Sequence, residues 1–346
     1  MTTLFRRLAR PVAVAAATLT LGVVAAALQL SSPARAASSS CADPVTSAPT
    51  VRATVSAVSK SPFGKVLVVG SGAYEGCSLY LLTSDQLHTL TGVHYACSDT
   101  LNAIGQPCDT VLWPALLTKG PPTAGPGVKP KLLGTVTRTD LPGLSSVQQV
   151  TYAGQPLYRF FLDESSAETE GANLFDPVTS PTGIWYLVDP SRGGPATGTA
   201  QLQLETAPVN GTGPNETVLA ATMNEDFSLF PNGTFPVYTL SPDHGPGKDA
   251  AGMGDGHSCR TLCAQYWPPV LTAGRPAAGP GIDQHTLGTI MRPDGTQQVT
   301  YKGQPLYLFA DDAYIPGLPY NGGTASINGA GAATLWGVFN TIPPVP

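Results

Sequence analysis

The chain has 346 residues, of which 42% are apolar and 12% charged, with 38 glycines, 34 prolines and six cysteines. Its formal charge of −5 excludes the clustered cations that a phosphate backbone demands, so no nucleic-acid partner is expected. The apolar content excludes a disordered chain, and so much Gly and Pro points to an all-β, turn-rich protein.

Residues 1–36 read as an export signal. Arg6, Arg7 and Arg10 precede an apolar run from Val12 to Leu28, and Ala34-Arg35-Ala36 offers a small-x-small cleavage pattern. A membrane anchor is the competing reading, but the run is alanine-rich and ends in SSPARA. A lipid anchor on Cys41 is a further alternative, although Ser38, Ser39 and Ser40 lack the apolar residue that such signals carry. No later segment approaches the ~20 apolar residues that span a bilayer, so no transmembrane span is expected after signal removal. Cleavage takes Lys and Arg from 18 to 14 against 23 Asp and Glu, a formal charge near −9.

The exported part is predicted to hold a linker (37–50), a first repeat (51–190), a linker with the entry to a second repeat (191–216), and that second repeat (217–346). The repeats are predicted as two tandem antiparallel β units of about 150 residues. QQVTYAGQPLY, ending at Tyr158, returns as QQVTYKGQPLY, ending at Tyr307: ten of eleven residues are identical at an offset of 149. Landmarks recur in one order. An apolar strand comes first (VLVV from Val66, TVLAA from Thr217), then LYLLTSD or VYTLSPD, a cysteine pair, and a Trp-Pro step at Trp113 or Trp267. A Gly/Pro-rich loop leads to LLGTVTR or TLGTIMR, where the offset is 154. Five extra residues in LPGLSSV, after Asp140, reconcile the two offsets, as a hairpin tip tolerates. The shorter LGTIMR–PDG–TQQVTY reads as a β-hairpin, with KGQPLY opening a third strand. Each repeat closes on a strand carrying Trp185 or Trp336. Residues 84–91 and the TLCAQY stretch at Cys263 read as short helices.

Within this order Tyr-x-Φ-x-x-Asp occurs four times: Tyr80/Leu82/Asp85, Tyr158/Phe160/Asp163, Tyr238/Leu240/Asp243 and Tyr307/Phe309/Asp312. A spacing of two puts Tyr and Φ on one strand face, and the Asp falls where the strand ends, suited to accepting backbone N–H groups and setting a turn. The aromatic pair is expected in the core. At these residues the chain resembles bacterial secreted or lipoprotein repeats with a conserved Yx(FWY)xxD motif, described as secreted repeats of unknown function. The G-x-PLY-x-F-x-x-D string, the cysteine-flanked WPP and the QVTY hairpin carry the resemblance over about residues 60–190 and 215–340. Leu82 and Leu240 depart from it, as do WPA and the wide cysteine spacing of the first repeat. The resemblance implies an exported bacterial protein and supplies no activity.

Six cysteines in an exported chain read as disulfides, with fifteen possible connectivities. Locality favours Cys97–Cys108 and Cys259–Cys263, leaving Cys41–Cys77. No G-x-S-x-G elbow occurs, and no Ser, Cys or His recurs at matching positions, so no enzyme, catalytic residue or cofactor is expected. Asp163 and Asp312 could pair as acid and base, yet four copies of one motif suggest four equivalent structural jobs. Trp113, Trp185, Trp267 and Trp336 read as core plugs, with a sugar- or peptide-binding face as the alternative. A loop from Asp243 to Asp255 lacks the ligand spacing of a calcium site. The sharpest alternative is copper: Met253, His257, Cys259 and Cys263 fall within eleven residues, a soft ligand set. The expectation is a secreted, non-enzymatic binding or structural module facing an unidentified cell-envelope or extracellular ligand, with a copper- or redox-linked protein as the alternative.

Overall fold

Val and Ala interspersed with Ser in one strand, and a Val-Leu-Val-Val run in the other, build the first hairpin. Thr54–Lys60 runs antiparallel to Gly64–Val69, with Val55 opposite Val69 and Ala57 opposite Leu67. In the second half Gln201–Pro208 pairs with Asn215–Thr222, Leu202 opposite Ala221. Each hairpin takes a short parallel neighbour at its start: Thr123–Ala124 beside Thr54 and Val55, and Ala277–Ala278 beside Gln201 and Leu202. Residues 201–208 therefore belong to a sheet, inside the stretch 191–216 read as linker and entry to the second repeat. Gln201, Gln203 and Glu205 give the segment its polar look, while Leu202 and Ala207 point into cores.

The computed structural model describes residues 40–89, 92–98, 107–176, 183–210, 212–222, 234–243, 259, 263–309, 312, 327, 329–334 and 337–344. Among these, strands dominate, joined by tight turns and brief helical segments. The described residues, from Ser40 onward, cluster as one compact unit.

The QVTY hairpins have one register in both halves. Leu133–Arg138 pairs with Val147–Tyr152, and Leu287–Met291 with Gln297–Tyr301. Gly134 faces Thr151 and Gly288 faces Thr300; a Cβ on either glycine would lie 2.9 Å from the threonine hydroxyl, which explains the glycine in each LGT. Ala153-Gly154 and Lys302-Gly303 all take positive φ, the two-residue turn that matches strand twist, and lead to Gln155–Pro156 and Gln304–Pro305.

Each half closes on a strand beside its first motif. Gly183–Val188 pairs with Tyr80–Leu82, placing Trp185 opposite Leu82. Gly337–Thr341 pairs with Tyr238–Leu240, placing Phe339 opposite Leu240. The counterpart of Trp185 is thus Phe339 rather than Trp336, which lies outside the described residues. The two sit at the same offset of 154 that relates Trp113 to Trp267.

Two local readings divide. Cys263–Tyr266 is a short helix. The described part of 84–91 is not: Gln86–Thr89 is a strand paired with Gly92–His94. The Asp85 carboxylate accepts the Ala96 N–H beyond that hairpin (2.8 Å), so it holds a returning strand instead of capping a helix. A π-turn over Cys108–Leu112 matches the α-turn Cys263–Tyr266 and carries one extra residue between cysteine and tryptophan. Trp113 N–H donates to Cys108 O at 2.7 Å and Trp267 N–H to Cys263 O at 2.8 Å, so the insertion is absorbed within one turn.

Burial follows the strand alternation on both faces. Val66, Val68, Tyr80, Leu82, Tyr158, Phe160, Trp185 and Leu187 fill an outer core of the first half. Tyr238, Leu240, Trp267, Tyr307 and Phe339 do the same in the second. The residues between them face the other way. Leu67, Leu81, Leu157, Ile184 and Tyr186 meet Leu202, Leu219, Val237, Val299, Leu306 and Leu308 in one central core shared by both halves.

Candidate functional site

The four Tyr-x-Φ-x-x-Asp motifs meet in pairs. Tyr80 and Tyr158 exchange backbone hydrogen bonds of 2.9 and 3.0 Å, and Tyr238 and Tyr307 exchange bonds of 2.8 and 2.9 Å. Their hydroxyls then cross over. Tyr80 donates to Asp163 Oδ2 at 2.6 Å and Tyr158 to Asp85 Oδ2 at 2.7 Å. Tyr238 donates to Asp312 Oδ2 at 2.7 Å and Tyr307 to Asp243 Oδ2 at 2.5 Å. Each motif's tyrosine is satisfied by the other motif's aspartate.

Each aspartate also marks a turn, as the spacing suggests. The N–H of Asp85, Asp163, Asp243 and Asp312 donates to the carbonyl of the Φ residue three before it. The sequence does not reveal that the carboxylate reaches across to a tyrosine 64 to 83 residues away.

A tryptophan stacks behind each pair. Trp113 lies 3.7 Å from Trp185 in parallel stacking and 4.1 Å from Phe160, with Tyr80 edge-on at 5.4 Å. Trp267 lies 3.6 Å from Phe339 and 4.2 Å from Phe309, with Tyr238 edge-on at 5.4 Å. Phe309 is half-buried; the other motif aromatics are buried. Gly171 and Gly329 press on the two indoles: a Cβ would come within 2.6 Å of Trp113 Cη2 and 2.7 Å of Trp267 Cη2.

Burial dominates the electrostatics. It pushes Asp85 up to about 6 and Asp163 up to about 7, against the hydrogen bonds from Tyr158 and Tyr80 that favour the charged forms. Burial, then the facing carboxylate, raises Tyr80, Tyr158, Tyr238 and Tyr307 far above the usual phenol range, so all four hydroxyls stay donors. Buried, hydrogen-bonded and enclosed by rings, these groups hold the strands together and offer solvent no reactive atom. The aspartates Asp163 and Asp312 belong to separate clusters, Asp163 accepting from Tyr80 and Asp312 from Tyr238.

Several further buried groups escape sequence reading. Arg138 forks onto Asp140 (2.8 and 2.7 Å), pairs with fully buried Asp109, and donates to Gln149 Oε1 at 2.6 Å. Arg159, inside the second motif, donates to Cys41 O at 2.6 Å and Asp43 O at 2.8 Å, its guanidinium 3.7 Å over the Tyr74 ring. Lys60 Nζ donates to Ser78 Oγ (2.5 Å), Ser166 O (2.8 Å) and Glu168 O (3.2 Å), and burial lowers its pKa. Ser78 is itself buried, so this Lys–Ser contact ties the end of the first strand to neighbouring segments and is not an exposed nucleophile.

The cysteines pair as Cys41–Cys77, Cys97–Cys108 and Cys259–Cys263. Cys41 is buried as well as bonded, which removes it as a lipid-bearing residue and corrects that alternative. The copper set loses both its thiolates to the Cys259–Cys263 bond, and Met253 and His257 lie outside the described residues. Among the described residues no group of three His, Cys, Asp or Glu side chains is arranged to hold a metal. No helix among them is long and apolar enough to cross a membrane.

No curated protein and no solved structure matches the chain. Residues 288–317, from Gly288 of the second QVTY hairpin through Tyr307 and Asp312, match a protein family described as a secreted repeat of unknown function.

Proposed function

We propose that the chain is a tandem pair of secreted repeats that serves as a non-enzymatic binding or structural module outside the cytoplasm. The observation that supports this reading most is the fate of the motif. All four aspartates and all four tyrosines are buried and consumed by one another, so the recurrent residues specify a scaffold. The equal registers of the QVTY hairpins and of the closing strands support two copies of one unit. Three disulfides suit an oxidising compartment, and the matched family is a secreted one. The ligand would be an envelope or extracellular component met by surface residues outside the motif.

The test is fractionation of the native host with intact-mass analysis. The reading expects a chain starting near Ala37 in the soluble exported fraction, six masses of hydrogen below its fully reduced form, and no added acyl groups. A cytoplasmic, fully reduced chain, or one carrying lipid on Cys41, would defeat it.

A further inference from the structure

Residues 164–172 follow the second motif and pass over the aromatic cluster of the first half. A Cβ on Gly171 would lie 2.6 Å from Trp113 Cη2 and 3.0 Å from Phe160 Cγ, so the segment rests directly on those two buried rings. It belongs to no strand. Glu168 N donates to Ser165 O (3.3 Å) and Ala172 N to Thr169 O (3.0 Å), both within the segment. Side chains reach it from elsewhere. Lys60 Nζ donates to Ser166 O (2.8 Å) and Glu168 O (3.2 Å), Ser78 Oγ to Glu168 O (2.7 Å), and Ser40 Oγ to Glu164 O (3.1 Å).

The second half fastens the same place differently. Thr169 corresponds to Ile327, at the offset of 158 that relates Gly171 to Gly329 and Tyr80 to Tyr238. Ile327 N donates to Pro208 O (3.0 Å) and Ile327 O accepts from Asn210 N (3.3 Å), a parallel bridge just past the strand Gln201–Pro208. Among the described residues no such bridge joins Thr169 to the first half's strand. The parallel pairings that set Thr54 beside Thr123 and Gln201 beside Ala277 align Lys60 with Ala207. Ser78 aligns with Pro236, which has no hydroxyl. An ammonium and a hydroxyl in one half thus stand where the other half has a backbone bridge.

Segments outside a backbone ladder open at the low end of a protein's range of local stabilities. Asp163 and Glu168 face the Lys60 ammonium. Without that charge, Asp163, Glu164, Glu168 and Glu170 lie along one stretch that holds no cation of its own. We propose that 164–172 is a cover over the Trp113 stack, clasped shut by Lys60, and that it opens as a unit while the rest of the first half stays folded.

The experiment is hydrogen exchange read by mass spectrometry on the full mature chain and on Lys60→Met, which keeps an apolar stem and loses the ammonium. Peptides spanning 164–172 should exchange about tenfold faster or more in the variant. The strand Gly183–Val188 and the second QVTY hairpin should keep their protection. Ser78→Ala should speed exchange in the same segment and there alone. The proposal is overturned if 164–172 exchanges in Lys60→Met as it does in the unaltered chain. It is equally overturned if Gly183–Val188 loses protection to the same degree, since Lys60 then supports the whole half and clasps no separate cover. Where Lys60→Met does not fold, Ser78→Ala decides by the same two criteria.

Discussion

Tyr80 donates its hydroxyl proton to Asp163 across 83 residues of sequence, while Asp85, five residues from Tyr80, accepts from Tyr158 instead. The motif is therefore half of a lock, completed by the other motif of the same half-chain. A single Tyr-x-Φ-x-x-Asp segment leaves a phenol and a carboxylate to be buried without partners, at a cost of about 1–3 kcal/mol each. Two segments remove both penalties at once, which accounts for the motif occurring in pairs.

The buried aspartates give the protein an unusual pH dependence. Asp85 and Asp163 titrate at about 6 and about 7 in the folded chain, above an ordinary value of 3.8. The folded state therefore holds protons that the unfolded state has released, and stability falls as pH rises from about 4 to about 7. Each group contributes on the order of 1 kcal/mol per pH unit within its window. Asp140, held below its ordinary value once the Arg138 pair outweighs its burial, acts in the opposite direction at more acid pH. Urea midpoints measured from pH 4 to 8 should decline with pH, and the Asp85→Asn and Asp163→Asn variants should each flatten the decline. A flat or rising curve for the unaltered protein would show that the carboxylates are better solvated than their burial implies.

Gly171 and Gly329 should tolerate no side chain. Their neighbours are the far edges of rigid, stacked indoles, which cannot move aside as a flexible chain would. Gly171→Ala and Gly329→Ala should each cost about 1–3 kcal/mol in denaturant unfolding. Gly274, where an added Cβ would meet nothing within 4 Å, is the control, and Gly274→Ala should be close to neutral.

The Cys41–Cys77 bond ties the start of the described chain to the first half, next to Arg159. The paired Cys41→Ser and Cys77→Ser variant should lose about 2–5 kcal/mol. Arg159→Met in the bridged protein should lose less, because the disulfide still holds Cys41 in place. Calorimetry on the two variants compares the losses directly.

Much of the scaffold was legible along the chain. The PDG hairpin, the third strand after it and the helical turn at Cys263 all follow from local turn chemistry and alternation. What escaped reading depends on contacts far apart in sequence. Nothing near Asp163 announces Tyr80, and nothing in Leu81 or Leu306 separates an outer core from one shared between halves. Matching Trp185 to Trp336 follows residue type, whereas strand register matches it to Phe339. The strand at 201–208 is obscured by its Gln and Glu residues, and the strand at Gln86–Thr89 by an Asp85 that mimics a helix cap. Arg159 and Arg138 look like surface charges until their carbonyl and carboxylate partners are seen.

The central claim is that the motifs lock across and not within themselves, and a double-mutant cycle measures this most directly. Tyr80→Phe combined with Asp163→Asn should show a coupling of about 1 kcal/mol or more in denaturant unfolding, whereas Tyr80→Phe combined with Asp85→Asn should show about 0.5 kcal/mol or less. Stronger coupling of Tyr80 to Asp85 than to Asp163 would contradict the account.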